Sequence, residues 1–141
     1  PAWIRMRYAE VLLNYAEACI ELGEDAEARK YINMIRDRAG MPAVAESGTA
    51  LKERYRNERR VEMAFEEQRF FDVRRWLIGP ESTENGYGVD VRYPVQGSYE
   101  NPAFKPIVVD DGRNWVDKVY FVPITTDELN KNTALVQNPG Y

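Results

Sequence analysis

Residues 57–76, NERRVEMAFEEQRFFDVRRW, decide how this chain folds. Five of them are acidic and five basic, yet the stretch also carries Val61, Met63, Phe65, Phe70, Phe71, Val73 and Trp76 and has no proline or glycine. It reads as helix, with at most one break near its middle. On a helical wheel Leu51, Tyr55, Glu58, Glu62, Phe65, Arg69, Asp72 and Trp76 share one face. A helix apolar nearly all round is a buried one. Charges on such a helix have to be paired, because stranding one costs several kcal/mol. Arg69 has Glu66 and Asp72 three residues away on either side, and Asp72 has Arg75 at the same spacing. These residues predict a structural network of Glu58, Glu62, Glu66, Arg69, Asp72 and Arg75, with Arg69 buried in it. A solvated helix with weak surface pairs is the plainer alternative. A catalytic carboxylate site is the more ambitious one.

On the N-terminal side, Ile4, Tyr8, Val11, Leu12, Tyr15, Cys19 and Leu22 recur at three and four, the pattern of an amphipathic helix. Ala9, Leu13, Ala16 and Ile20 make a second apolar flank, so packing on two sides is expected. Gly23 should end this helix. Ala28, Tyr31, Ile32, Ile35 and Ala39 mark a second helix, with Asp25 as its expected N-cap and Gly40-Met41-Pro42 as its stop. So short a turn makes the two antiparallel. Together they span about one tetratricopeptide period of roughly 34 residues. Such a pair cannot bury both its faces alone. A linker follows to residue 49, and Gly79-Pro80 should terminate the charged helix.

Residues 79–118 change texture. Prolines and glycines punctuate them, so no long helix fits. Val89, Val91 and Tyr93 alternate with Asp90 and Arg92 as a strand. Ile107-Val108-Val109 reads as a strand entering a turn at Asp110-Asp111-Gly112. Residues 119–124 should return to the core. Thr125 and Glu128 offer a capping box for a short helix. The last five residues read as a turn that packs Tyr141 back. The predicted fold is mainly α. It has a tetratricopeptide-like helix hairpin (1–42), a long charged helix (50–78), an irregular region with a small β-hairpin (79–118) and a closing segment (119–141).

Composition removes several functions. Net charge is −4, with no basic cluster clear of acidic neighbours, so nucleic acid is not an expected partner. There is no histidine, which takes away the commonest general base and metal ligand. Cys19 stands alone, so no internal disulfide and no thiolate zinc site is expected. No cofactor or metal is predicted. No run of 18 apolar residues exists. The chain opens on Pro1-Ala2-Trp3 and enters a helical pattern at once, which reads as a piece of a longer protein.

Four pieces together resemble the C-terminal part of the SusD/RagB family of outer-membrane nutrient-binding lipoproteins. They are RYAEVLLNYAEACIELG (7–23), INMIRDRAGMP (32–42), RNERRVEMAFEEQRFFDVRRW (56–76) and the ending VPIT…ELNKN…LVQNPGY (122–141). The third and fourth together are the specific ones. The chain departs from the family's common pattern in Glu67, where glycine is frequent, and in Thr125, where a second proline is. The resemblance implies a mostly helical, surface-exposed, lipid-anchored protein of Bacteroidetes type. It would sit on a SusC-type TonB-dependent transporter and capture oligosaccharides or other nutrients without catalysis.

From the residues themselves, sugar sites use aromatic platforms flanked by Asp, Asn and Arg. The irregular region supplies Tyr87, Tyr93, Tyr99 and Trp115, with Asp90, Arg92 and Asn114. Each aromatic has the plainer reading of packing its loop down. A generic tetratricopeptide-like scaffold for protein partners is the alternative function. An enzyme is the third reading, opposed by carboxylates set among arginines, which lowers their pKa values.

Overall fold

The computed structural model describes residues 5–97 and 99–141, so the expected contribution of Ile4 lies outside the described residues. Among those residues the chain is mainly α, with six α-helices and one two-stranded antiparallel sheet. It divides into two units, Pro1–Phe71 and Asp72–Tyr141.

In the first unit, α1 (Tyr8–Glu21), α2 (Asp25–Arg38) and α3 (Gly48–Glu62) pack on one another. Their core is Leu12, Leu13, Ala16 and Cys19 from α1, Ala28, Ile32 and Ile35 from α2, and Leu51 and Tyr55 from α3. Each fully buried large side chain is worth about 1.5–3 kcal/mol. The buried side of α1 lies between the two stripes its sequence shows, because α2 and α3 both pack on it. Leu12 and Cys19 come from one stripe, Leu13 and Ala16 from the other, while Tyr8, Val11, Tyr15 and Leu22 stay exposed. Tyr15 finds an edge-on partner in Tyr31, ring centroids 4.6 Å apart.

Both expected glycine stops close in the same way. Gly23 and Gly40 have φ of 78° and 67°. Gly23 N–H donates to Ile20 and Glu24 N–H to Cys19. Gly40 N–H donates to Asp37 and Met41 N–H to Arg36. This is the paired Schellman closure, in which a left-handed residue turns its own N–H and the next one back onto the last helical carbonyls. Asp25 does not cap α2. It is the first helical residue, and its Oδ2 instead accepts from Gly48 N–H at 2.7 Å, tying down the start of α3. The linker is stitched to α2 as well. Asn33 exchanges two hydrogen bonds with the Val44 backbone, and Arg29 donates to Glu46 O.

The long charged helix is two helices. After α3 the backbone turns through residues 63–67, and α4 (Gln68–Arg75) follows, with the boundary between the units inside it. Phe65 and Glu67 have φ of 64° and 61°. The turn swings Phe65 off the shared face, and the side chain is fully exposed at 102%. Phe70 and Phe71 are exposed too, so the all-round apolar helix is not buried along its length. The left-handed conformation at Glu67 is one that glycine adopts at no steric cost.

In the second unit α4 closes on Leu77, again left-handed, with φ of 54°. Gly79-Pro80 does not stop a helix; it opens the short α5 (Gly79–Ser82), with proline in its first turn. β1 (Gly86–Arg92) and β2 (Ala103–Asp110) pair antiparallel, and residues 93–102 connect them. The hairpin's connection is therefore that loop. Asp110-Asp111-Gly112 is where the chain leaves the sheet, not the turn between its strands. A 3₁₀ turn (Asp117–Tyr120) and α6 (Thr126–Lys131) follow. Thr125 stands at the expected N-cap position but makes no side-chain cap bond, and Glu128 pairs with Lys131 instead. Phe121 and Val122, expected in the core, are exposed. The tail is tied back by hydrogen bonds, while the Tyr141 side chain, expected to pack, stays exposed at 47%. Gln137 receives Ile124 N–H and donates to Ile124 O, both at 2.9 Å, and Tyr141 Oη donates to Phe121 O at 3.2 Å.

Candidate functional site

Two sets of residues were expected to matter; the first is divided between the units, with Glu58, Glu62, Glu66 and Arg69 in the first and Asp72 and Arg75 in the second, and the aromatic set lies in the second. The first is the charge network. Arg7 occupies the N-cap position of α1, where a cation opposes the helix dipole. What holds it there is the far end of α3. Its Nη1 meets Glu62 Oε1 at 2.6 Å, and its Nε meets Glu66 Oε2 at 2.8 Å. Its Nη2 donates to the Glu62 carbonyl oxygen and to Met63 Sδ. That carbonyl would accept from Glu66 N–H if the helix ran on; Glu66 N–H donates to Met63 O instead. The guanidinium thus caps α3 and lets the backbone break where it does. The Glu66 hydrogen bond raises the Arg7 pKa most, burial opposes it, and Glu62 adds to the rise.

Glu62 also receives Arg38 Nη2 at 2.6 Å, and Glu58 receives Arg36 Nη1 at 2.5 Å. So Glu58, Glu62 and Glu66 pair with arginines from α2 and from the start of α1. Arg59 is buried and donates to Asn14 Oδ1 at 2.8 Å, and Tyr55 Oη donates to Glu17 at 2.7 Å. Arg69, expected buried, is half-buried. In the second unit Asp72 is buried and its Oδ1 receives Arg75 Nε and Nη2, both at 2.9 Å. Sequence reading missed Arg7. Its signal was a cation placed against a helix N-terminus, which needs a distant anion to explain it.

The second set is aromatic. Tyr87, Val89 and Val91 point to one side of β1, and the register sets Val108, Pro106 and Phe104 of β2 opposite them. All six are exposed, so this side of the hairpin is an apolar strip with Phe104 as an aromatic the sequence reading did not single out. Tyr93 follows β1 and stacks edge-on with Tyr99 across the connecting loop, centroids 5.4 Å apart. The structure therefore brings Tyr93 and Tyr99 together and places Tyr87 six residues back, about 20 Å along an extended strand. Of the flanking polar groups, Asp90 pairs with Arg92 at 2.8 Å. Asp110 pairs with Arg113 at 2.6 Å, which, with Gly112 N–H, holds its carboxyl below the usual range.

Trp115 has a different setting. Its ring lies 4.7 Å from that of Tyr120, under Arg74, and directly over Gly79, where any Cβ would overlap the indole. Gly79 N–H donates to Tyr120 Oη at 2.9 Å. The indole is wedged into the base of the unit.

The arrangement offers exposed aromatic stacking surfaces. Among the described residues no group of three or more His, Cys, Asp or Glu is placed to hold a metal, and no helix is long and apolar enough to cross a membrane.

The helices that the first three sequence pieces anticipate are present, and the hairpin lies between the third piece and the fourth. The chain belongs to the SusD family, whose description it matches over residues 1–141. It is 32% identical to SusD-like protein P2 of Formosa agariphila, aligned over 99% of this chain and 26% of that protein. A crystal structure of a SusD-like protein from Bacteroides fragilis NCTC 9343 superposes with a TM-score of 0.85 at 47% identity, again over 99% of this chain and 26% of that one. The chain thus spans about a quarter of the length of these relatives.

Proposed function

We propose that this chain forms part of a non-catalytic nutrient-binding protein, lipid-anchored at the surface of a bacterial outer membrane, that works with a SusC-type TonB-dependent transporter and takes oligosaccharides. The observation that carries this reading is the match to the SusD family over all 141 residues. The site chemistry agrees with it. The carboxylates of the break region, Glu58, Glu62 and Glu66, are engaged by arginines, which suits a fixed scaffold. The exposed edge-on pair Tyr93–Tyr99 is a stacking surface for the apolar face of a sugar ring, with Tyr87 a further contact along the same strand. We give Trp115 the role of holding these loops in place.

The test is co-purification of the full-length polypeptide from outer membranes, together with an oligosaccharide array. Recovery of a TonB-dependent transporter and binding of at least one glycan class are expected. A full-length protein that partitions away from the outer membrane and binds no glycan overturns the reading.

A further inference from the structure

An asparagine alters its own chain when the backbone nitrogen of the next residue attacks its side-chain amide carbon. Eight of the nine asparagines here are badly placed for that. Asn14, Asn33, Asn57 and Asn130 sit in helices, where hydrogen-bonded turns fix the next amide. Asn101 and Asn138 precede prolines, which have no N–H to give up. Asn114 precedes the bulky Trp115, and Asn132 precedes the branched Thr133, with its Oδ1 taken by Ala134 N–H at 3.1 Å. Asn85 differs on each count. It lies between α5 and β1, outside any helix or strand, and glycine follows it. Its amide has no hydrogen-bond partner among the described residues. Gly86 lacks the side chain that would crowd the incoming carbon. The pairing beside it is irregular, with a register shift between Gly86 and Tyr87. The comparable dipeptide Asp111-Gly112 is set up differently, since Gly112 N–H is held by Asp110 Oδ1 at 3.3 Å.

We propose that Asn85 is a site of spontaneous modification that converts it to aspartate and isoaspartate and loosens the entry of β1. In the first step the Gly86 nitrogen bonds to Asn85 Cγ. The proton that nitrogen loses and the Asn85 Nδ2 group leave together as ammonia, and a cyclic imide remains. Water then opens the imide at either carbonyl. One cut gives aspartate, and the other gives a main chain routed through the side-chain carbon. No electron is gained or lost, and water is the sole co-reactant. The second product lengthens the main chain by one carbon directly before Gly86. That residue has little room to shift, because a Cβ on it would already lie 3.1 Å from Asp110 Cβ. Both products add a negative charge at the end of the sheet that carries Asp110, the register partner of Gly86.

The test ages the full-length polypeptide in mildly alkaline buffer, folded and in urea, and digests it with trypsin. The peptide 76–92, WLIGPESTENGYGVDVR, holds no other asparagine and no glutamine, so a gain of one mass unit belongs to Asn85. Conversion in the folded protein is expected within about tenfold of the rate in urea, a barrier difference of about 1.4 kcal/mol or less. Two products of equal mass should form, with the isoaspartyl one in excess. Folded-state conversion slower than that overturns the proposal, because the rest of the polypeptide then holds Asn85 fixed. Aspartate alone overturns it too, because water has then attacked the side chain directly. Gly86→Ala should slow conversion about tenfold or more in both arms, and the urea arm reads this even where the variant does not fold. An unchanged rate overturns attack by the Gly86 nitrogen. Hydrogen exchange across residues 86–88 should quicken in the converted protein, and unchanged exchange overturns the loosening.

Discussion

Arg7 and Glu62 lie 55 residues apart in sequence and 2.6 Å apart in space. The pair joins the start of α1 to the last residue of α3. The same guanidinium takes the Glu62 carbonyl that the broken helix leaves without an internal partner. Removing Arg7 takes the arginine from Glu66, leaves Glu62 with Arg38 alone, and uncaps α3. Arg7→Ala should therefore cost about 2–4 kcal/mol of unfolding free energy. The measurement is a denaturant melt with Arg7→Ala and Glu62→Gln, singly and together. Strong coupling between the two is expected; additive effects would mean that the pair is only a surface contact.

Gly79 lies against Trp115 with no room for a methyl group. Gly79→Ala should destabilise the second unit by about 1–3 kcal/mol through overpacking. In a Trp115→Ala background the same change should cost less than about 0.5 kcal/mol, since the obstacle is gone. A thermal melt of the four variants decides it. Equal costs in both backgrounds would show that the indole is not seated over Gly79.

Leu77 closes α4 in the left-handed conformation with its side chain 67% exposed. A branched residue there costs about 1–2 kcal/mol. Glycine loses more entropy on folding, by about 0.5–1 kcal/mol. Leu77→Gly should thus gain roughly 0.5–1 kcal/mol, and Glu67→Gly should behave alike. A lower Tm for Leu77→Gly would indicate that the side chain is packed against something in the longer protein.

Much of the fold was legible because its causes are local. The periodicity of α1 and α2 and the glycines at 23 and 40 are short-range signals, and the structure uses both glycines as helix closures. The break at 63–67 was placed only loosely, because the left-handed residues there are Phe65 and Glu67, and no glycine or proline marks them. The partners of Glu58 and Glu62 were out of reach for a different reason. Helix spacing points to neighbours three and four away, while Arg7, Arg36 and Arg38 arrive from other helices through tertiary packing. Among the candidate ligand residues, alternation put Tyr93 on one side of a strand with Val89 and Val91. Nothing local could say that Trp115 would be wedged against Gly79 and Tyr120.

The closing segment hangs on one amide. Gln137 bonds both the N–H and the carbonyl of Ile124, and Asn138 Nδ2 adds a bond to Val122 O at 2.7 Å. Gln137→Ala leaves two half-buried backbone groups without these partners and should cost about 1–3 kcal/mol. Faster hydrogen exchange at Ile124 in the variant would confirm the clamp; unchanged exchange and stability would contradict it.

Binding without turnover is the claim on which the functional account stands. The direct measurement is calorimetry of the full-length polypeptide against plant, host and microbial oligosaccharides, followed by mass analysis of the recovered ligand. The account predicts saturable binding to at least one glycan class, recovered intact after prolonged incubation. It also predicts binding weakened about tenfold or more by Tyr93→Ala or Tyr99→Ala, in line with the loss of an aromatic anchor, and little or no binding to the 141-residue chain alone. Shortened oligosaccharide in the recovered sample would contradict it.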